Sequence, residues 1–148
     1  MNPIPLRAAA APTPAEVFAR VQRRVLAFDG AGYASLFAPD AVVEFPFGAP
    51  GVPPCLHGRA EIRRHVGSRM EAAIAAGRRM LAYHDVVLHH TADPEVLIAE
   101  FEVEGEVVRT DRHYRLPYVQ IYRIRDGLIL ELRDYAAPHR VAEVLAGS

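Results

Sequence analysis

An aspartate at the end of an otherwise apolar strand face is the most informative chemical feature of this sequence. In Leu128-Ile129-Leu130-Glu131-Leu132-Arg133-Asp134-Tyr135, side-chain alternation puts Leu128, Leu130, Leu132 and Asp134 on one face and Ile129, Glu131, Arg133 and Tyr135 on the other. A carboxyl among leucines loses the water that favours its charge, so its pKa rises. That is the property a general acid or base needs near neutral pH. The plainer reading is a strand-end aspartate paired with an arginine at the sheet rim. His65 is the second candidate. It borders the stripe Ile62, Val66 and Met70, on the edge of a helix face that must cover something apolar. Its plainer reading is a boundary histidine bonded to a backbone carbonyl or water.

Two further groupings are polar. Glu100, Glu102 and Glu104 share one face of a strand-like run, opposite Ala99, Phe101 and Val103. Such a ladder is ordinarily solvated, and a bulge would be needed to turn a member such as Glu100 inward. Tyr114, Tyr118 and Tyr122 share a face of the next run. They suit a cavity wall with hydroxyl donors, or equally a surface between subunits. The other histidines (His57, His84, His89, His90, His113 and His139) lack metal-ligand spacing, so no metal is expected. Glycine-rich phosphate loops, Gly-x-Ser-x-Gly and credible Cys/His pairs are missing from the sequence.

The elements that must position these residues follow from periodicity and turn chemistry. Residues 1–12, with three prolines and four consecutive alanines, read as a loose, flexible arm, and residues 13–148 as one domain. Thr13, Pro14 and Glu16 start a helix with a capping box. Val17, Val21, Val25 and Phe28 form its stripe, and Asp29-Gly30-Ala31-Gly32 ends it. A short helix is predicted over Tyr33–Phe37 and a strand over Ala41–Phe47, with Val43, Phe45 and Phe47 on one face. Gly48 to Gly58 reads as a loop. A third helix runs from about Arg59 to Ala76, with Ile62, Val66, Met70 and Ile74 as its stripe and Gly77 as its stop. Met80–His90, Glu95–Val108, Tyr114–Arg125 and Leu128–Tyr135 read as four long strands separated by turns, and Val141–Leu145 as a last helical turn or two. Helices, a strand, a helix and a meander make an α+β fold. Its curved antiparallel sheet packs against the N-terminal helices, giving a cone-shaped barrel whose interior is a ready pocket.

Composition narrows the function. The 148 residues suit one domain, and 51% are apolar, enough for a core. A net charge of −1 gives no reason to expect nucleic-acid or anionic-membrane binding. Cys55 is the single cysteine, which rules out an intrachain disulfide and fits a reducing, cytoplasmic compartment. No stretch reads as a signal peptide or membrane span.

The run Leu36-Phe37-Ala38-Pro39-Asp40-Ala41-Val42-Val43-Glu44-Phe45-Pro46, followed by Gly58-Arg59-Ala60-Glu61-Ile62, resembles the front half of the nuclear transport factor 2-like superfamily. Tyr118-Val119-Gln120-Ile121-Tyr122-Arg123, Asp126-Gly127-Leu128-Ile129 and Arg133-Asp134-Tyr135 resemble its SnoaL-like branch. The resemblance implies a cone with a deep pocket, usually in a homodimer, on a fold that hosts isomerases, cyclases, dehydratases, epoxide hydrolases and binding domains. Against ketosteroid isomerase, Phe45 stands where the base should be, and the oxyanion donors fall near Arg24 and at Gln120, so those roles are missing. Against limonene epoxide hydrolase, Asp134 matches one aspartate, but Glu100-Phe101-Glu102 stands in place of an Arg-x-Asp. Against the phenazine biosynthesis A/B proteins, His65 matches the helix histidine and Asp134 the last-strand glutamate, while Arg69 replaces a serine. In the polyketide cyclases of the SnoaL type, an acid/base aspartate near the C-terminal strand is comparable with Asp134.

The expected function is therefore cofactor-independent proton transfer (cyclisation, isomerisation or dehydration) on a small hydrophobic metabolite. Asp134 is the expected acid/base and His65 its partner, with Tyr118, Tyr122, Phe45, Arg69, Glu100 and Tyr83 contacting substrate. Epoxide opening and a non-catalytic ligand-binding or dimerisation domain stay open. The expected partners are the metabolite and a second copy in a homodimer, with neither nucleic acid nor membrane.

Overall fold

The computed structural model describes residues 3–4, 9–48 and 51–147. Half of the expected N-terminal arm, residues 1–2 and 5–8, lies outside the described residues. Helix α1 spans Pro14–Leu26, and the Thr13 hydroxyl caps it by accepting the Glu16 amide at 3.2 Å. Val17, Phe18 and Val21 form its buried face. Asp29 was expected to end this helix region; instead it starts the next one. Its Oδ1 accepts the Gly32 amide at 2.8 Å and caps α2, Gly30–Ala34. Aspartate-glycine serves both turns and caps, which is why the short helix lies ahead of its expected Tyr33–Phe37.

Strands β1 (Phe37–Glu44) and β2 (Cys55–His57) follow, then α3 (Arg59–Ala75), β3 (Arg78–His90), β4 (Val96–Val107), β5 (Arg112–Arg125), β6 (Leu128–Ala136) and α4 (Pro138–Ala146). β1 starts earlier than Ala41 and stops at Glu44, leaving Phe47 65% exposed against Tyr135. β2 lies inside the expected loop, where its pairing with β1 makes a strand of three residues that lack a long β pattern. Ile74 is exposed, so the buried stripe of α3 stops short of it.

All six strands form one sheet in the order β2-β1-β6-β5-β4-β3. The meander β3–β6 is antiparallel, and β1 runs parallel to β6. The result is the expected α+β cone, a curved open sheet packed on the N-terminal helices. Phe18 seats α1 in it, with ring centroids 5.6 Å from Phe101 and 5.9 Å from Tyr122.

Register decides which side chains face inward. β4 and β5 pair without a break from Val96↔Arg123 to Val107↔Arg112. Leu97, Ala99, Phe101 and Val103 are therefore buried, while Glu100, Glu102 and Glu104 point outward. β6 behaves differently. Arg125 and Leu128 are joined by a two-residue turn with Asp126 at φ 52° and Gly127 at φ 76°, a conformation that favours glycine. Arg123 then pairs with Glu131 but Ile124 with Ile129, so Leu130 is an extra residue in the ladder. Ile129 is fully buried as a result, whereas Leu128 and Leu130 are only half-buried. The expected face Leu128–Leu130–Leu132–Asp134 is thus broken at Leu130, and only Leu132 and Asp134 keep it.

The outer face is polar: His84 is hydrogen-bonded to Glu104 and His89 to Glu100 at 2.5 Å, and Arg115 pairs with Glu102 at 3.3 Å. Among the described residues no helix is long and apolar enough to cross a membrane.

Candidate functional site

The cone encloses a cavity of about 320 Å³. β1 and β2 contribute Val43, Phe45 and Leu56, α3 contributes His65 and Arg69, and the meander contributes Tyr83, Phe101, Tyr118, Gln120 and Asp134. Of the expected site residues, the structure therefore brings Asp134, His65, Tyr118, Phe45, Arg69 and Tyr83 to one cavity. Two do not reach it. Glu100 is on the outer face bonded to His89, because the unbroken β4–β5 register leaves no bulge to turn it. Tyr122 is fully buried behind the wall, and its hydroxyl donates to Gln120 Oε1 at 2.5 Å.

Asp134 lies directly across the ladder from Gln120, and its neighbour Arg133 is exposed on the opposite side of the strand. The Asp134 Oδ1 atom is buried with no hydrogen-bond partner among the described residues. Desolvation pushes its pKa up from the ordinary 3.8 to about 6, against smaller opposing effects of the Gln120 side chain and the Arg69 charge. Asp134 is the only carboxylate lining the cavity among the described residues.

Three tyrosines that line the same cavity, Tyr33, Tyr83 and Tyr118, feel the Asp134 charge. Burial first, and that charge among lesser causes, hold their hydroxyls far above the usual phenol range. They are therefore neutral O–H donors at any physiological pH. His65 stacks obliquely near Phe45, with ring centroids 5.8 Å apart. Desolvation and then Arg69 lower its pKa, so it too is neutral at pH 7. Arg69 is the charge that acts on both Asp134 and His65.

Gln120, Tyr33, Tyr114 and Arg78 belong to the cavity without having been singled out as substrate contacts. Parity could have found Gln120, which alternates with Tyr118 and Tyr122, and Arg78, which alternates with Met80. Tyr33 comes from a five-residue helix with no amphipathic signal. A grouping of ligand-type atoms suited to a metal does occur: Glu106, Asp111 and His113, within 4.8 Å of one another. None of the three lines the cavity.

Fold and cavity together define a cone with an interior pocket beside one carboxyl whose Oδ1 has no partner among the described residues. The chain belongs to the SnoaL-like domain family, whose model matches residues 16–132, and its fold is the ketosteroid isomerase-like one. It is 34% identical over 119 residues to an uncharacterised PhzA/B-like protein of Pseudomonas aeruginosa, covering 80% of each chain. A Bacillus subtilis protein provisionally named an isomerase superposes with a TM-score of 0.78 at 28% identity, covering 90% of this chain and 93% of that one. A Pseudomonas putida protein provisionally named a polyketide cyclase shares the fold, with a TM-score of 0.67 at 21% identity over 89% of this chain and 97% of its own.

Proposed function

We propose that this protein is a small enzyme that moves protons on a mostly apolar metabolite, in a cyclisation, isomerisation or dehydration, with Asp134 as the acid/base. The observation that carries this reading is the unpartnered, buried Asp134 Oδ1 in a cavity walled mostly by apolar and aromatic groups. A carboxyl with a pKa of about 6 is basic enough to take a proton from carbon beside a carbonyl and acidic enough to return it. The phenols of Tyr33, Tyr83 and Tyr118 are protonated donors for the oxyanion that forms meanwhile. Neutral His65, across the cavity wall on α3, orients substrate or relays the proton. Such chemistry needs no cofactor. The family membership and the isomerase and cyclase names of its structural neighbours support the same class.

Epoxide opening with paired carboxylates is less well supported, since Glu100 and Glu102 face outward and leave Asp134 alone. Asp134→Asn keeps the shape and removes the proton. With a substrate found by thermal-shift screening of polyketide-like and epoxide compounds, turnover should fall by roughly 10²–10⁴-fold while affinity is kept. Turnover unchanged in Asp134→Asn removes Asp134 from the mechanism.

A further inference from the structure

The cavity has a second singular group. Arg78 opens β3, opposite Val107, and its side chain lines the cavity. Its Nε is buried with no hydrogen-bond partner among the described residues. Arg69 also lines the cavity but is exposed to water. Five arginines elsewhere are held on carboxylates, Arg24 on Asp29, Arg79 on Glu106, Arg115 on Glu102, and Arg123 and Arg125 on Glu95, and Arg63, Arg64, Arg109, Arg112 and Arg133 are exposed to water. Two guanidiniums thus share a cavity in which the only carboxylate among the described residues is Asp134, and an inaccessible unpaired N–H donor is costly to maintain.

Position separates the two ends. The Arg78 charge acts on Tyr114, whereas the guanidinium that acts on Asp134 is that of Arg69. Tyr114 and Gln120, the residue facing Asp134, are six positions apart on β5, roughly 20 Å along a straight strand, less on a curved one. Val103, Leu116, Phe101 and Tyr118 line the cavity as well and are apolar or aromatic. The Tyr114 ring covers Gly105, where a Cβ would meet it at 2.4 Å.

We infer that the substrate is an elongated, largely apolar carboxylic acid whose carboxylate is bound by Arg78, while its reacting carbon lies at Asp134. A planar guanidinium fork matches a carboxylate and is weakly hydrated, so it suits a partly buried anion site. The placement of the reacting end rests on the acid–base reading of Asp134; the anion site does not.

The test uses 4-phenylbutyrate and 4-phenylbutan-1-ol, which share a skeleton and differ in charge, in calorimetric titrations at pH 7.5. The wild-type protein should prefer the carboxylate by roughly tenfold or more. Arg78→Gln should abolish that preference and leave alcohol binding unchanged, while Asp134→Asn should keep it. Equal affinities in the wild type, no binding of either probe, or a preference that survives Arg78→Gln overturns the inference. If Arg78→Gln does not fold by circular dichroism, nuclear Overhauser contacts in the wild type decide. Contacts from the methylene beside the carboxylate to the Tyr114 ring support the site, and contacts to Tyr33 or Phe45 instead overturn it. Carboxylate preference with undiminished turnover in Asp134→Asn would fault only the acid–base reading. Loss of turnover without carboxylate preference would fault only the anion site.

Discussion

The raised pKa of Asp134 has a consequence for stability that can be measured without knowing any substrate. The folded carboxyl titrates at about 6 and the ordinary one at 3.8. Between those values the folded protein holds a proton that the unfolded chain has released. Stability contributed by this site is therefore fully present below the lower value and falls as pH rises towards the upper one. At about 1.36 kcal/mol per pH unit, the 3.8-to-6 interval is worth about 3 kcal/mol, of which about 2 kcal/mol falls between pH 4.5 and pH 8. Asp134→Asn cannot ionise and escapes that loss. His65, with its pKa lowered, pulls the other way, losing stability on acidification, but it is common to both proteins and cancels in the difference. Urea unfolding of wild type and Asp134→Asn across this range should show the variant gaining about 2 kcal/mol on the wild type from pH 4.5 to pH 8. For a domain of this size that is a shift of roughly 4–8 °C in Tm. Parallel pH profiles would refute the claim that Asp134 is desolvated.

Gln120→Leu removes a side chain that favours the Asp134 carboxylate, so the Asp134 pKa should rise above about 6; a carbon-13 carboxyl titration that stays put contradicts this. Phe18→Ala should cost about 3–5 kcal/mol, because the ring is 1% exposed and anchors α1 to Phe101 and Tyr122; a denaturant midpoint unchanged from wild type would show that α1 is not held this way. A homodimer formed through the outer sheet face, where Val87 is 48% exposed beside the histidine–glutamate pairs, is expected; a monomer in sedimentation at micromolar concentration would rule it out.

How far the sequence reveals the site depends on whether a strand keeps step. β4 does, and its alternation placed Phe101 inward and Glu100, Glu102 and Glu104 outward as the pattern implied. β6 does not. The extra residue at Leu130 turns Ile129 in and displaces Leu128 and Leu130, so Asp134 reached the cavity although the face predicted for it was wrong at its far end. A bulge follows from pairing across the ladder, which no single strand encodes. The same limit hid the burial of Tyr122 behind Gln120 and the contribution of α2 through Tyr33. Of the two readings open for the tyrosines, the cavity wall holds for Tyr114 and Tyr118, and the charged ladder of β4 meets solvent as its pattern implied.

Strand order has an implication for how the protein is made. β6 sits between β1 and β5, so the strand bearing Asp134 is also the seam that joins the early pair β1–β2 to the later meander. A nascent chain that has not yet released β6 from the ribosome has both of its half-sheets but no bond between them, and no cone. Closure of the pocket, burial of the carboxyl and completion of the sheet are then one event, and a chain interrupted before Leu128 should be recognised by quality control as unfolded rather than survive as an inactive but folded protein.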